Sequence, residues 1–250
     1  MPRYDFRTPR LFVQAALAPD TTIPLDRGQA NYLVNVLRLR AGEQVLVFNG
    51  RDGEWRAGLV VEGRKRVALV VSEQTRPQPA PGDLHYLFSP LKHARLDYMV
   101  QKAVEMGASL LAPVMTQHGQ AHRVNLDRMR NNAIEAAEQC GILNVPEIAE
   151  PRALTKALAE LDAARLLVFC DEDADVRDPV AALAALHNAA SPPALAVLIG
   201  PEGGFAAEER DAILRRPRVV RLSLGPRILR ADTAAVAALT LVGAVLGDWR

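Results

Sequence analysis

Cysteine is scarce in this chain: Cys140 and Cys170 are the only two among 250 residues. A pair 30 positions apart fits neither a disulfide framework nor a zinc module and points to a reducing compartment. An excess of either charge is also missing. The 30 Lys and Arg against 29 Asp and Glu leave a formal charge of +1, which excludes a binder that relies on bulk attraction to nucleic acid but leaves room for a local basic face. Metal-ligand spacing is lacking: His85, His93, His118, His122 and His187 form neither an H-x-x-x-H pair on one helix nor H-E-x-x-H, so no metal is expected. Membrane and leader signals fail too. The uncharged stretch 179–201 contains His187, Asn188, Ser191 and Pro192-Pro193, and the apolar run from Thr233 to Gly247 is too short to span. Leu11 to Ala18 contains Gln14 and follows Asp5, which suits a first strand better than a signal peptide. A soluble, cytoplasmic protein is expected.

With 49% hydrophobic residues the chain can build one large core or two smaller ones without covalent staples. Residues 11–72 read mostly as strand. Leu11-Phe12-Val13 precedes a helical stretch, Gln29 to Leu39, whose Tyr32, Leu33, Val36 and Leu37 fall on one face. Strands are expected at Gln44–Phe48, Glu54–Val61 and Arg66–Val71, separated by turn chemistry at Asn49–Gly53 and Glu62–Lys65. Together these segments specify a small β-barrel with one helix. The segment Thr75–Asp83 holds Pro77, Pro79, Pro81 and Gly82 and reads as a linker.

Beyond the linker, strands and helices alternate. Strands are expected at His85–Ser89, Leu110–Met115, Leu166–Cys170, Ala194–Ile199 and Val219–Leu222. Helices are expected at Ala94–Met106, Leu126–Cys140, Ala153–Leu161, Pro179–His187, Ala206–Arg215 and Thr233–Leu246. Such alternation specifies a parallel sheet wrapped by helices. Charge divides unevenly: residues 1–76 carry a balance of +4 and residues 77–250 one of −3. A basic barrel beside a slightly acidic α/β domain suits an RNA-contacting module next to a small-molecule domain. Equally, with 26 of the 30 basic residues arginine, the composition alone is compatible with a GC-rich genome.

Three motifs can carry chemistry. Leu198-Ile199-Gly200-Pro201-Glu202-Gly203-Gly204-Phe205 is a buried strand running into a glycine-rich turn, where backbone groups can approach a ligand closely. It matches neither G-x-G-x-x-G nor a P-loop, so recognition through phosphates is not indicated; an ordinary tight turn is the competing reading. Ser223 to Ala235, with Gly225-Pro226, Arg227, Arg230, Asp232 and Thr233, is a second strand-to-helix turn, and there Asp232 also serves as a plain helix cap. After consecutive strands the two turns are expected side by side, forming a cleft. Lys92 and Arg95 at a helix start oppose the helix dipole and suggest an anionic partner, with solvated surface charges as the alternative. Glu135 and Glu138, three apart on a helix, read as a solvated face.

Taken together, these motifs and the segments Val36–Glu43, Gln101–Gly107, Glu135–Gly141 and Val145–Ile148 resemble the SPOUT class of S-adenosylmethionine-dependent RNA methyltransferases. Within it they are most similar to the ribosomal RNA small subunit methyltransferase E family, which methylates N3 of a specific uridine in 16S rRNA. The resemblance implies an α/β protein with a PUA-like RNA-binding β-barrel over residues 1–74, a linker over 75–83 and a SPOUT α/β domain with a deep trefoil knot over 84–250. It also implies a homodimer acting on the small ribosomal subunit, with S-adenosylmethionine as cofactor. Carried over, Leu198, Ile199, Gly200, Glu202, Gly203, Gly204, Leu222, Leu224, Gly225 and Leu229 hold the donor. Arg230 stabilises charge on the target base, and Asp232 either holds Arg230 or accepts a proton. Arg10, Arg38, Arg40, Lys92 and Arg95 are candidates for RNA phosphates.

The chain departs from the family pattern at Asp232 (usually Glu), at Ile142-Leu143 (usually Arg) and at Met129 (usually Trp). Two other readings compete with the uridine methyltransferase: a non-catalytic RNA-binding or ribosome-assembly protein of the same fold, and a SPOUT methyltransferase acting on another RNA position.

Overall fold

The computed structural model describes residues 5–62, 66–121, 123–176, 178–187 and 193–249. Most of the expected turn at Glu62–Lys65, His122 and part of the uncharged stretch 179–201 lie outside the described residues. The chain divides into two compact units. One comprises residues 1–81 with 134–145, the other 82–133 with 146–250.

The N-terminal unit is a five-stranded sheet in the order β1-β3-β4-β5-β2. β1 (Arg10–Phe12) runs parallel to β3 (Gln44–Phe48), while β4 (Glu54–Glu62) and β5 (Arg66–Arg76) form an antiparallel ribbon edged by β2 (Thr22–Pro24). Alternate residues Val45, Val47, Ala57, Leu59, Leu69 and Val71 point to one face and form the core with Leu11, Val13 and Leu33. β5 extends through Thr75 and Arg76, so the linker starts later than its proline content suggests. Those two residues are fixed by Glu54, which accepts hydrogen bonds from Thr75 Oγ1 and two Arg76 guanidinium nitrogens.

The expected helix divides. α1 (Arg27–Asn31) opens with a capping box between Asp26 and Gln29 and then widens into a π-helical turn, Tyr32–Val36, in which Leu37 N–H reaches Tyr32 O at 2.9 Å. The extra residue in the turn rotates the end of the helix. Leu33 stays buried, whereas Val36 is 60% exposed and Leu37 36%, contrary to the single apolar face read from their spacing.

Segment 134–145 groups with the N-terminal unit although it lies some fifty residues beyond the linker. Several hydrogen bonds fasten it there. Phe12 N–H donates to Glu138 at 2.8 Å, Arg76 to the Gly141 carbonyl at 3.0 Å, and Gln78 to the Asn144 side chain at 2.5 Å. The boundary read at residues 75–83 is therefore not the only crossing of the chain.

The second unit carries a parallel sheet in the order β12-β10-β11-β6-β7-β8, with β9 also pairing β7. Its strands are β6 (Leu84–Phe88), β7 (Leu110–Met115), β8 (Glu147–Ile148), β9 (Arg152–Ala153), β10 (Leu166–Cys170), β11 (Leu195–Ile199) and β12 (Val219–Leu222). The central strands are near-continuous Leu, Val, Ile and Phe because both faces are covered. On one face Leu87, Leu167, Phe169 and Leu198 pack under α4 (Leu154–Glu160) and α6 (Ala207–Leu214). α7 (Ala231–Val245) packs on β11 and against α2 (His93–Glu105) and α5 (Pro179–Ala184). α3 (Leu126–Cys140) starts where Asn125 Oδ1 accepts the Arg128 N–H at 3.0 Å, an N-cap that satisfies one of the free donors of its first turn.

Candidate functional site

A cleft of about 440 Å³ opens at the carboxyl ends of β10, β11 and β12. This is the edge of a parallel sheet where ligands are usually bound, and the volume suits a small organic molecule. Three strand-to-helix loops wall it: residues 171–172 after β10, 200–205 after β11 and 223–229 after β12. The two glycine turns, expected side by side from their order in the sequence, are separated in the sheet by β10. They form opposing walls with the end of β10 as the floor between them.

Sterics and backbone conformation require glycine in these walls. A Cβ on Gly200 would overlap the Phe205 ring, which packs edge-on against Phe169 at 5.4 Å. Gly204 and Gly225 hold φ of +72° and +105°, values that side chains disfavour. The Gly204 carbonyl is 3.2 Å from His118 Nδ1, and Glu209, in the first turn of α6, accepts the N–H groups of Ala206 and Gln117. The glycine turn is thus held from both sides while its inner backbone remains open to the cleft.

Nine of the ten expected donor-site residues line the cleft: Ile199, Gly200, Glu202, Gly203, Gly204, Leu222, Leu224, Gly225 and Leu229. Leu198 does not. It is fully buried in the core beneath α4 and α6, because the strand alternation turns it away from its neighbour Ile199. Arg230 caps the start of α7 and is exposed; Leu229 and Ala231 on either side of it are cleft residues, and Arg230 itself is not. Arg230 and Asp232 form no ion pair. Asp232 instead accepts the Thr233 N–H at 2.9 Å, so the expectation that it holds Arg230 is not met.

Two of the phosphate candidates are engaged elsewhere. Arg10 is only 7% exposed; it pairs with buried Glu54 at 2.9 Å and donates to the Asp5 carbonyl, which removes it from the set. Arg95 donates to Glu202 of the glycine turn, and Gln120 holds the other carboxylate oxygen at 3.0 Å. Its place at a helix start, against the dipole, is explained by that partner. Lys92, Arg38 and Arg40 are exposed, Arg38 with a left-handed φ of +60°.

Sequence reasoning missed the floor. Asp171, 5% exposed, accepts from Arg210 at 2.8 Å and Arg221 at 2.7 Å, which fixes the loop that presents Glu172 to the cleft. No motif marks this Cys-Asp-Glu run; an acidic pair directly after a wholly apolar strand is the signal that was available. Beside it, burial and then the Asp171 charge push the Cys170 thiol up to about 12, so it stays protonated and is not a nucleophile. The Tyr86 hydroxyl is buried and has no hydrogen-bond partner among the described residues. Burial first, then Cys170 and Asp232, raises its pKa well above the ordinary phenol value.

Chemically, the cleft combines a glycine backbone, leucine side chains, the exposed Arg227 and one carboxylate, Glu172, that has no basic partner among the described residues. It lacks a phosphate-binding signature. A molecule with a flat apolar part and charges of both signs fits such a set, and the walls leave room because Gly225 has nothing within 4 Å of the position a Cβ would take. Among the described residues no group of His, Cys, Asp and Glu could hold a metal ion, and no helix is long and apolar enough to cross a membrane.

Residues 78–243 match the model of an RNA methyltransferase domain, and residues 25–72 that of an RNA methyltransferase PUA domain. The chain is 26% identical over 234 residues to a ribosomal RNA small subunit methyltransferase E of Rickettsia conorii, covering 93% of this chain and 94% of that one. Among solved structures it is similar to a methyltransferase from Legionella pneumophila in complex with bound SAM, with TM-score 0.83, 28% identity and 97% and 99% of the two chains covered. It is also similar to a ribosomal RNA small subunit methyltransferase E from Neisseria gonorrhoeae bound to S-adenosyl methionine, with TM-score 0.80, 25% identity and 98% and 100% covered.

Proposed function

Because the chain belongs to the RNA methyltransferase family, we propose that it transfers a methyl group from S-adenosylmethionine to N3 of a specific uridine in 16S rRNA of the small ribosomal subunit. The observation that carries this reading is the cleft itself: two glycine turns facing each other across the acidic end of β10, in a chain similar along nearly its whole length to enzymes of that name.

S-adenosylmethionine supplies a methyl group already activated on a sulfonium, so the protein has to provide position and charge stabilisation. Backbone groups of residues 199–204 and 223–229 hold the donor, with Leu222, Leu224 and Leu229 as apolar contacts and Glu172 as counter-charge. Uracil N3 carries a proton between two carbonyls. Arg230, exposed at the start of α7 between two cleft residues, stabilises the negative charge that spreads onto those oxygens when the proton leaves. Asp232, part-buried in the first turn of the same helix, accepts that proton. Arg38, Arg40 and Lys92 contact phosphates and help to hold the target base out of its stack.

The protein works in the cytoplasm as a homodimer whose donor site is formed by knotted loops. The exposed side chains of Tyr98 (46%) and Trp249 (48%), on α2 and just beyond α7, support an apolar face that a second copy covers. The test is methyl transfer to unmodified 16S rRNA by the purified protein, alongside calorimetry with S-adenosylmethionine. Wild type is expected to bind donor and methylate; Arg230→Ala is expected to bind donor and lose turnover. Failure to bind donor at high micromolar concentration would overturn the enzyme reading.

A further inference from the structure

A second depression, about 520 Å³, lies between the start of α2 and the start of α3. Its floor is apolar, built from Leu91, Leu96, Val124 and the fully buried Met129. Its rim is basic. Lys92 and Arg123 are exposed and have no acidic partner among the described residues. The one carboxylate in the lining, Asp97, is already held by Arg128 at 2.6 and 2.8 Å and by Asn132 at 2.7 Å. Two amides, Gln120 and Asn125, complete the wall. A smaller pocket of about 430 Å³ shares Leu91, Lys92 and Gln120 with this groove and reaches Glu202, which also lines the glycine-walled cleft. All three depressions belong to the second unit and are joined through these shared residues.

We infer that this groove seats an unstacked, single-stranded RNA nucleotide next to the methylated one. The inference rests on the function proposed above and adds the place where the substrate strand runs. A volume of this size admits one nucleotide. The apolar floor suits a base face, the amides suit base-edge hydrogen bonds, and unpaired cations on the rim suit the sugar-phosphate chain, the combination by which single-stranded RNA is read. Gln120 bridges the two sites: its amide holds Glu202, so a strand entering the groove meets the glycine turn through Gln120. A protein segment suits the groove less well, because nothing acidic in it is left to answer a basic or neutral peptide while two cations stand open.

The test is filter binding of unmodified full-length 16S rRNA transcript across a range of salt, without donor, to wild type, to Lys92→Ala/Arg123→Ala, and to Lys156→Ala, an exposed lysine on α4 outside the groove. The double variant is expected to bind at least tenfold more weakly at low salt. Its slope of log K against log salt is expected to fall by about 1.4, two single-strand phosphates at about 0.7 each. Lys156→Ala is expected to match wild type, and Lys92→Arg/Arg123→Lys to restore most binding. Calorimetry with S-adenosylmethionine is expected to be unchanged in every variant, which separates this outcome from misfolding. An unchanged affinity and slope in the double variant would overturn the inference and leave the proposed activity standing. If wild type failed to methylate the transcript while the double variant still lost binding, the activity would fall and the groove would remain an RNA site.

Discussion

Each unit of this protein buries a carboxylate between two arginines, and the two clamps do different work. Glu54, 2% exposed, joins Arg10 of β1 and Arg76 at the end of β5, so it ties together three strands of the N-terminal sheet. Asp171 joins Arg210 of α6 and Arg221 of β12, so it fixes the loop between the two walls of the cleft. In the first clamp Arg10 is nearly as buried as its partner. In the second both arginine side chains keep about a third of their surface in water, at 29% and 34%. The same residue types thus serve cohesion in one place and site geometry in the other. Among the described arginines only Arg10 and Arg165 are buried and most of the rest reach the surface, so the clamps draw on a small, placed subset of them.

Breaking each clamp in turn tests that distinction. Glu54→Ala strands a buried guanidinium, and removing one partner of a buried pair costs about 3–5 kcal/mol. Urea unfolding should show that loss, with donor affinity unchanged in the fraction that remains folded. Asp171→Ala leaves arginines that can turn to water, so a smaller loss of about 1–3 kcal/mol is expected, together with roughly tenfold weaker donor binding by calorimetry as the Glu172 loop loosens. Equal stability losses and unaltered donor binding in both variants would erase the contrast. Tyr86→Phe removes the buried β6 hydroxyl that has no partner among the described residues and is expected to raise stability by about 1 kcal/mol. A destabilised variant would mean that the hydroxyl has a partner in solution.

The smallest effect concerns pH. Burial of Glu54 by itself pushes its pKa up, but the hydrogen bonds from Arg76, Arg10 and Thr75 outweigh it and hold the carboxyl below the ordinary glutamate range. That contribution is present above the unfolded pKa and is lost as pH falls through the folded one. Glu138 behaves in the opposite sense. Burial first, offset in part by the Phe12 N–H and reinforced by Glu135, raises it to about 7, so the folded state binds a proton more tightly than the unfolded state does. Stability should therefore decline as pH rises from about 4.5 to about 7. Glu138→Gln keeps the acceptor for Phe12 and is expected to flatten that slope, matching wild type at pH 4 and exceeding it at pH 8 in thermal melts.

Much of the fold was legible because periodicity is a local property. α3 was expected at Leu126–Cys140 and occupies those residues, and the parallel sheet was implied by the alternation of strands and helices. β2, β8 and β9, of three, two and two residues, are too short to show a period. The π-helical turn keeps the spacing of a helix in the sequence while turning Val36 and Leu37 outward, so no pattern announces it. Both glycine turns of the cleft were legible from composition. The insertion of β10 between β11 and β12, and with it Asp171 and Glu172, was not, because strand order is decided by packing across the sheet. Met129, one of the positions that depart from the family pattern, gained a place only when it formed the floor of the second groove.

Methylation of ribosomal RNA at the cleft has a direct consequence in the cell. Mass-spectrometric mapping of 16S rRNA from a strain deleted for this protein, complemented in turn with wild type and Arg230→Ala, addresses that directly. One N3-methyluridine should disappear on deletion, return with wild type and stay absent with Arg230→Ala. An N3-methyluridine unchanged by the deletion would contradict the claim.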